Sequence, residues 1–272
     1  MIQTRRVHSP HGWAALALAA FTGAAVWAGA PRPAHAGAMV AFTQGKSRVQ
    51  GYLALPRGEG THPAMIVIHE WWGLDDWVKQ QTDSLAKHGY LSLGVDLYRG
   101  KVTRDQSVAH QLVSGLSEDD ALMTLRAAAD FLRGRSDVRA NAIGVIGWCM
   151  GGKYSIRLAA ADPGIRACVM YYGAPIKDPK AIEGIQASIL GNFGGEDQGP
   201  SPAQVREFEA ALKKAGKKVD FKIYPGAGHA FANVNNPWGG YREAAARDAW
   251  QRTLAFLDSD LKRGSVPKAL RK

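Results

Sequence analysis

The segment that most constrains this chain is Gly147-Trp148-Cys149-Met150-Gly151-Gly152, which follows directly on the apolar run Ala142-Ile143-Gly144-Val145-Ile146. It reads as a buried strand, a sharp turn and a helix. A cysteine between glycines at such a turn is held at the tip of the strand, where another molecule can reach it. The pattern is that of G-x-S-x-G with sulfur in place of the hydroxyl. Glycine is needed there because the turn is tight and a Cβ on a neighbouring residue would clash. The positive end of the following helix favours a thiolate, and the Met150 NH is left to stabilise an oxyanion. The competing reading is a buried structural cysteine among packing glycines. Partners elsewhere in the chain decide between them.

The chain alternates strand-like and helix-like runs. Val49 to Leu55 alternates apolar and polar residues, as an antiparallel edge strand does. Ala64 to Ile68, Leu91 to Val95, Ala142 to Gly147, Cys168 to Tyr172 and Ser188 to Phe193 are short and mostly apolar, as parallel strands covered on both faces are. Val219 to Tyr224 is the last strand. Helices are expected over Trp77–His88, stopped by Gly89, after the capping sequence Ser117-Glu118-Asp119-Asp120, over Gly151–Ala161, over Ala203–Lys214 and over Tyr241–Leu261. This alternation predicts an α/β fold with a mainly parallel central sheet and helices on both faces. Reactive groups in such sheets gather in loops at the carboxyl ends of the strands.

Candidate partners of Cys149 sit where that rule places them. Asp197 follows the strand Ser188–Phe193, in Gly194-Gly195-Glu196-Asp197, and His229 follows the last strand, in Gly226-Ala227-Gly228-His229. The order nucleophile, acid, histidine is that of α/β hydrolases. In that arrangement the imidazole takes the thiol proton and the carboxylate fixes its tautomer. Glu196, one residue nearer the strand, is the second choice of acid. His69-Glu70-Trp71-Trp72-Gly73 follows the strand Ala64–Ile68, where a second oxyanion donor is expected from the NH of Trp71. Glu70, at the edge of an apolar wall, must either have its pKa raised or pair with a cation. His69 reads as a structural histidine.

The first residues form a separate layout. Arg5 and Arg6 precede an uncharged, alanine-rich run from Trp13 to Ala30, and Ala34-His35-Ala36 ends it with an A-x-A pattern. This predicts a secretory signal peptide over 1–36 and a single domain over 37–272, exported to the periplasm or beyond. An uncleaved anchor is the alternative, disfavoured because the run is weakly hydrophobic. The Arg pair leaves twin-arginine and general secretory export both open. Cleavage would remove Arg5, Arg6 and Arg32 and lower the net charge from +10 to +7. The remaining excess, much of it at Lys213, Lys214, Lys217, Lys218 and the C-terminal tail, lacks interleaved aromatics and reads as a solvated face rather than a nucleic-acid surface. Of the only cysteines, Cys149 and Cys168, the second lies in a strand-like run, so both are expected as free thiols.

With these residues in view, the chain resembles the dienelactone hydrolase (carboxymethylenebutenolidase) family over Val49 to Leu261. The resemblance rests on His69-Glu70-Trp71-Trp72-Gly73-Leu74, Asp96-Leu97-Tyr98, Gly147-Trp148-Cys149-Met150-Gly151-Gly152, Gly194-Gly195-Glu196-Asp197 and Gly228-His229-Ala230-Phe231. It implies an α/β-hydrolase fold and a triad of Cys149, His229 and Asp197. It also implies that Glu70 contacts the resting thiol and helps to deprotonate it when substrate arrives. Arg99 resembles the arginine that balances this glutamate and binds a substrate carboxylate, although it stands one residue closer to the Asp-Leu-Tyr segment. The family's lactone hydrolases carry a serine directly after the histidine and an arginine three positions later; this chain has Ala230 and Asn233. Loss of one charge-assisted hydrogen bond, worth roughly 1.5–3 kcal/mol, would weaken binding of a carboxylated lactone more than tenfold.

The expected activity is cleavage of a small ester or lactone through a Cys149 acyl-enzyme, with Met150 and Trp71 NH groups as the oxyanion hole. Substrate contacts are expected from Arg99, Trp72, Tyr98, Trp148 and Phe231. No cofactor or metal is called for, since no His, Cys or carboxylate cluster has ligand spacing. The expected partner is a small molecule, with no nucleic acid, no stable membrane insertion after cleavage, and a monomeric state. The competing class is a non-catalytic small-molecule-binding protein on the same fold.

Overall fold

The computed structural model describes residues 37–263. All lie in one unit, Pro33–Lys272, and the expected signal segment, 1–36, lies outside the described residues.

The uninterrupted apolar runs form the middle of an eight-stranded sheet. Its strands are β1 (Ala38–Gln44), β2 (Ser47–Ala54), β3 (His62–Ile68), β4 (Leu91–Val95), β5 (Val138–Trp148), β6 (Ile165–Tyr171), β7 (Ser188–Gly194) and β8 (Val219–Tyr224). Their spatial order is β1-β2-β4-β3-β5-β6-β7-β8. The β1–β2 and β2–β4 pairs are antiparallel and every other pair is parallel. The alternating segment expected at the edge is therefore β2, second from it. β1, a strand not anticipated from the sequence, pairs outside β2 through a turn at Gly45 with φ 57°.

Among the described residues the helices are α1 (Asp76–Lys87), α2 (Gln106–Gly115), α3 (Glu118–Arg133), α4 (Met150–Ala161), α5 (Pro179–Gly184), α6 (Pro202–Lys214) and α7 (Glu243–Leu257), followed by a π-helical turn over Asp258–Arg263. The local causes are visible. Asp75 accepts a hydrogen bond from the Val78 NH and opens α1, and Gly89 at φ 87° follows its end. Ser117 caps α3 through the Asp120 NH. Ser201 and Gln204 form a reciprocal capping box on α6.

The pleat divides the core into two layers. Along β3, Ala64, Ile66 and Ile68 face Leu125, Leu132 and Ile156 of α3 and α4, whereas Met65 and Val67 face Val78 and Leu85 of α1 with Leu257 of α7. Each fully buried aliphatic side chain contributes about 1.5–3 kcal/mol of transfer free energy, so the two-faced pattern fixes the strand register. Register places Ile68 beside Gly147, and Trp148 beside Tyr171. The loops after β3, β5, β6, β7 and β8 thereby emerge at one end of the sheet.

Candidate active site

Cys149 is the residue between β5 and α4, and its backbone is at φ 53°, ψ −116°. A non-glycine residue there carries strain of about 1–3 kcal/mol, held by packing on both sides. A Cβ on Gly147 would lie 2.3 Å from the Gly151 carbonyl carbon, and one on Gly151 would lie 2.3 Å from the Ile68 carbonyl oxygen. The Cys149 NH donates to the Tyr171 carbonyl at 3.0 Å, and its own carbonyl accepts from the Lys153 NH at 3.1 Å. The cysteine is partly buried and packs against both core layers. Met150 begins α4, so its NH belongs to the first turn, which has no intrahelical acceptor.

The histidine and acid meet as the chain order suggested. His229 Nδ1 donates to Asp197 Oδ2 at 2.8 Å. Asp197 is buried, and its other oxygen accepts from the Gly199 NH at 2.8 Å. Glu196 is exposed, with its NH on the Ala227 carbonyl. With Nδ1 committed to Asp197, Nε2 remains for Cys149. Burial alone would push the imidazole down, but the hydrogen bond to Asp197, the hydrogen bond to Cys149 and the charges of both outweigh it and raise His229 to about 10.

Glu70 is buried against this pair. Its Oε2 accepts from Asn233 Nδ2 at 2.7 Å and its Oε1 from the Tyr172 hydroxyl at 3.2 Å. Burial pushes the carboxyl up; Asn233, the His229 charge and Tyr172 pull it part of the way back, to about 7. Burial holds the Tyr172 phenol well above its usual value, so it stays a donor. Among the described residues no hydrogen bond joins Glu70 to Cys149. His69 is buried: its Nε2 accepts from the Leu97 NH at 3.2 Å and its Nδ1 faces the Glu70 carbonyl.

A cavity of ≈ 210 Å³ opens on these groups, walled by Cys149, His229, Glu70, Trp71, Trp72 and Trp238, with Ala230 and Asn236 completing it. Thus Cys149, His229, Glu70, Trp71 and Trp72 come together, with Asp197 behind His229. The other expected substrate contacts do not line this cavity. Trp148 is buried between Trp77 and Tyr171, at 5.2 and 5.4 Å between ring centres. Phe231 is buried against Tyr172 and Tyr224. Tyr98 packs on His69 and its hydroxyl donates to Met150 Sδ at 3.2 Å. Arg99 turns outward: its guanidinium donates to Gln44 Oε1 at 2.8 Å and pairs with Asp120 at 3.3 Å.

Sequence reasoning did not single out Tyr172 or Trp238, and took Asn233 only as a missing arginine. Tyr172 carries a signal in the backbone alone, a φ of 39°. Among the described residues, the non-glycine residues with positive φ are Arg99, Cys149, Tyr172 and Ala230; all follow strands, and the last three border the site. Among those residues no helix is long and apolar enough to cross a membrane, and no three His, Cys, Asp or Glu side chains group as a metal site.

Both cysteines are free, as expected. Cys168 is fully buried and its thiol is pushed well above the usual range by that burial.

Comparison with known proteins places this architecture. Residues 49–261 match the model of the dienelactone hydrolase family. The "Putative carboxymethylenebutenolidase" of Methylorubrum extorquens is 33% identical over 218 residues, covering 75% of this chain and 74% of that protein. "Protein usf" of Aquifex pyrophilus is 33% identical over 228 residues, covering 81% of this chain and 97% of that protein. The solved structure titled "m3DLH" superposes with a TM-score of 0.77 at 24% identity, covering 84% of this chain and 99% of that one, which shows the fold. The chain belongs to the dienelactone hydrolase family, and is a hydrolase of that type on an α/β-hydrolase fold.

Proposed function

We propose that this hydrolase cleaves a small carboxylic ester or lactone through a Cys149 acyl-enzyme. The observation that carries the reading is the position of the Cys149 thiol at the mouth of α4, beside an imidazole bonded to Asp197 at 2.8 Å. Cys149 Sγ forms a bond to the substrate carbonyl carbon as the carbonyl oxygen gathers charge. The NH groups of Met150 and Trp71 receive that charge. When the intermediate collapses, the C–O bond breaks and the departing oxygen takes the Nε2 proton of His229. Water, deprotonated by the now neutral imidazole, then attacks the thioester, and the C–S bond breaks to return the thiolate. Asp197 holds the ring in the tautomer that each step needs. Glu70, in its carboxylate form, is a second acceptor for the thiol proton.

The reading extends to the setting. The basic pair, apolar run and A-x-A pattern of residues 1–36 support export with cleavage after Ala36, and a small-molecule partner suits a cavity of ≈ 210 Å³. The test is a stopped-flow assay with p-nitrophenyl acetate. A burst of one equivalent is expected, abolished by iodoacetamide and absent in Cys149→Ala. Native protein should take up one alkyl group, at Cys149, and denatured protein two. Full turnover by Cys149→Ala would overturn the mechanism, and no release of p-nitrophenol by the wild type would leave a binding protein.

A further inference from the structure

The Cys149 thiol stands between two cavities. The second, of ≈ 330 Å³, is lined by Met150, Leu116 and Lys153 among others, and shares only Trp71 and Cys149 with the first. His229 and Glu70 line the first cavity and not the second. An ester carbonyl held at Cys149 therefore has one substituent on each side of Trp71. We infer that the first cavity binds the leaving alcohol and the second the acyl group, so that the protein is selective for esters of flat or apolar alcohols. This inference deepens the proposed ester cleavage and rests on it.

The assignment of sides follows from the proton. The oxygen that departs from the carbonyl must be protonated by the imidazolium, so it lies on the side His229 faces. The acyl carbon stays on sulfur, at the N-terminus of α4, and its chain extends along the Met150 side.

The chemistry of the alcohol follows from the wall. Trp71, Trp72 and Trp238 pack on one another with ring centres 4.8, 5.4 and 5.4 Å apart. At that spacing no ion fits between the rings, so they are a continuous apolar wall and not a cage around a cation. Glu70 is the ionisable carboxyl of this cavity, and among the described residues no lysine or arginine lines it. Arg99 is committed to Gln44 and Asp120, and Asn233 to Glu70. The cation of this cavity is the His229 imidazolium, already shared between Asp197, Cys149 and Glu70, so the surface left for the alcohol is chiefly the indole wall. Trp238 is 55% exposed, so it is the part of the wall that can be changed without disturbing the core.

Pre-steady-state kinetics on the full chain separate the sides, because esters of one acid pass through one acyl-enzyme. With p-nitrophenyl acetate, Trp238→Ala should slow the burst about tenfold, consistent with the loss of aromatic contact, and leave the rate of acetyl-enzyme hydrolysis unchanged. Trp238→Phe should restore the burst to within about threefold, since a ring remains. An unchanged burst rate in Trp238→Ala, or a fall in deacylation as large as the fall in acylation, would overturn the assignment. Absence of an acetyl adduct on wild-type Cys149 in mass spectra of quenched reactions, or full turnover by Cys149→Ala, would instead count against the acyl-enzyme itself.

Discussion

Asn233 Nδ2 donates to Glu70 Oε2 at 2.7 Å across 163 residues of sequence. The position at which the family's lactone hydrolases carry an arginine here holds the buried acid in place. Because the bond favours the carboxylate, it is one of the forces that keep Glu70 near 7 in spite of its burial.

Removing that donor should move the acid upward. If the carboxylate form of Glu70 is the productive one, kcat/KM in the wild type rises with pH through about 7. In Asn233→Ala the same limb should lie at higher pH, and in Glu70→Gln it should vanish. A pH–rate profile from pH 5 to about 9 on each protein checks this, with any limb near His229's value of about 10 left beyond the range.

Stability should respond to the same group, with a definite sign. The folded state holds the Glu70 proton up to about 7, whereas the unfolded chain releases it near 4.5. Between those values the native state binds more protons, so stability falls as pH rises. The loss is on the order of 3 kcal/mol and is complete above the folded value. Glu70→Gln has no such loss. Its melting temperature should gain on the wild type between pH 4.5 and 8. Thermal melts at those two pH values measure the difference.

Much of this arrangement was legible in the sequence because it depends on short-range pattern. Val219–Tyr224 and Leu91–Val95 coincide with β8 and β4: an alternating segment or an apolar run followed by turn residues needs no distant information. Cys149, Asp197 and His229 could be singled out for a related reason, since each stands in the loop that follows a strand. What was missed depends on contacts between distant segments. β1 has alternate exposed positions and becomes a strand by pairing with β2. Trp148 looked like a pocket residue, but in β5 its side chain takes the α1 face of the sheet, against Trp77. Arg99 adopts φ 54° and turns toward Gln44 on β1, a partner unknown until β1 is in place. Tyr172 and Trp238 reach the site from loops whose course the sequence does not specify.

The Asp197–His229 bond gives a third expectation. Asp197→Asn keeps the volume but removes the charge and offers a donor where Nδ1–H needs an acceptor. The ring then turns or changes tautomer, and Nε2 no longer serves Cys149. Turnover should fall by about 10³–10⁴-fold, and the His229 pKa should drop, because Asp197 supplies both a hydrogen bond and a charge that raise it. Steady-state rates and the imidazole titration followed by NMR report the two effects separately.

The elbow itself supplies the last. Gly151 sits where α4 crosses the end of β3, and an added Cβ would be 2.3 Å from the Ile68 carbonyl oxygen and 2.7 Å from that of His69. Both are backbone atoms, at the end of β3 and the start of the loop that carries Glu70 and Trp71, so no side-chain rotation relieves the clash. Gly151→Ala should therefore push α4 away from β3, at a cost of about 1–3 kcal/mol or more. It should displace the Met150 NH from the oxyanion position, lowering the burst rate with p-nitrophenyl acetate while Cys149 still reacts with iodoacetamide. By contrast, Gly226→Ala, at a turn where a Cβ meets nothing within 4 Å but φ is +70°, should cost stability through the backbone alone. Comparing acylation rate with chemical-denaturation midpoint in the two variants distinguishes damage to the elbow from general destabilisation.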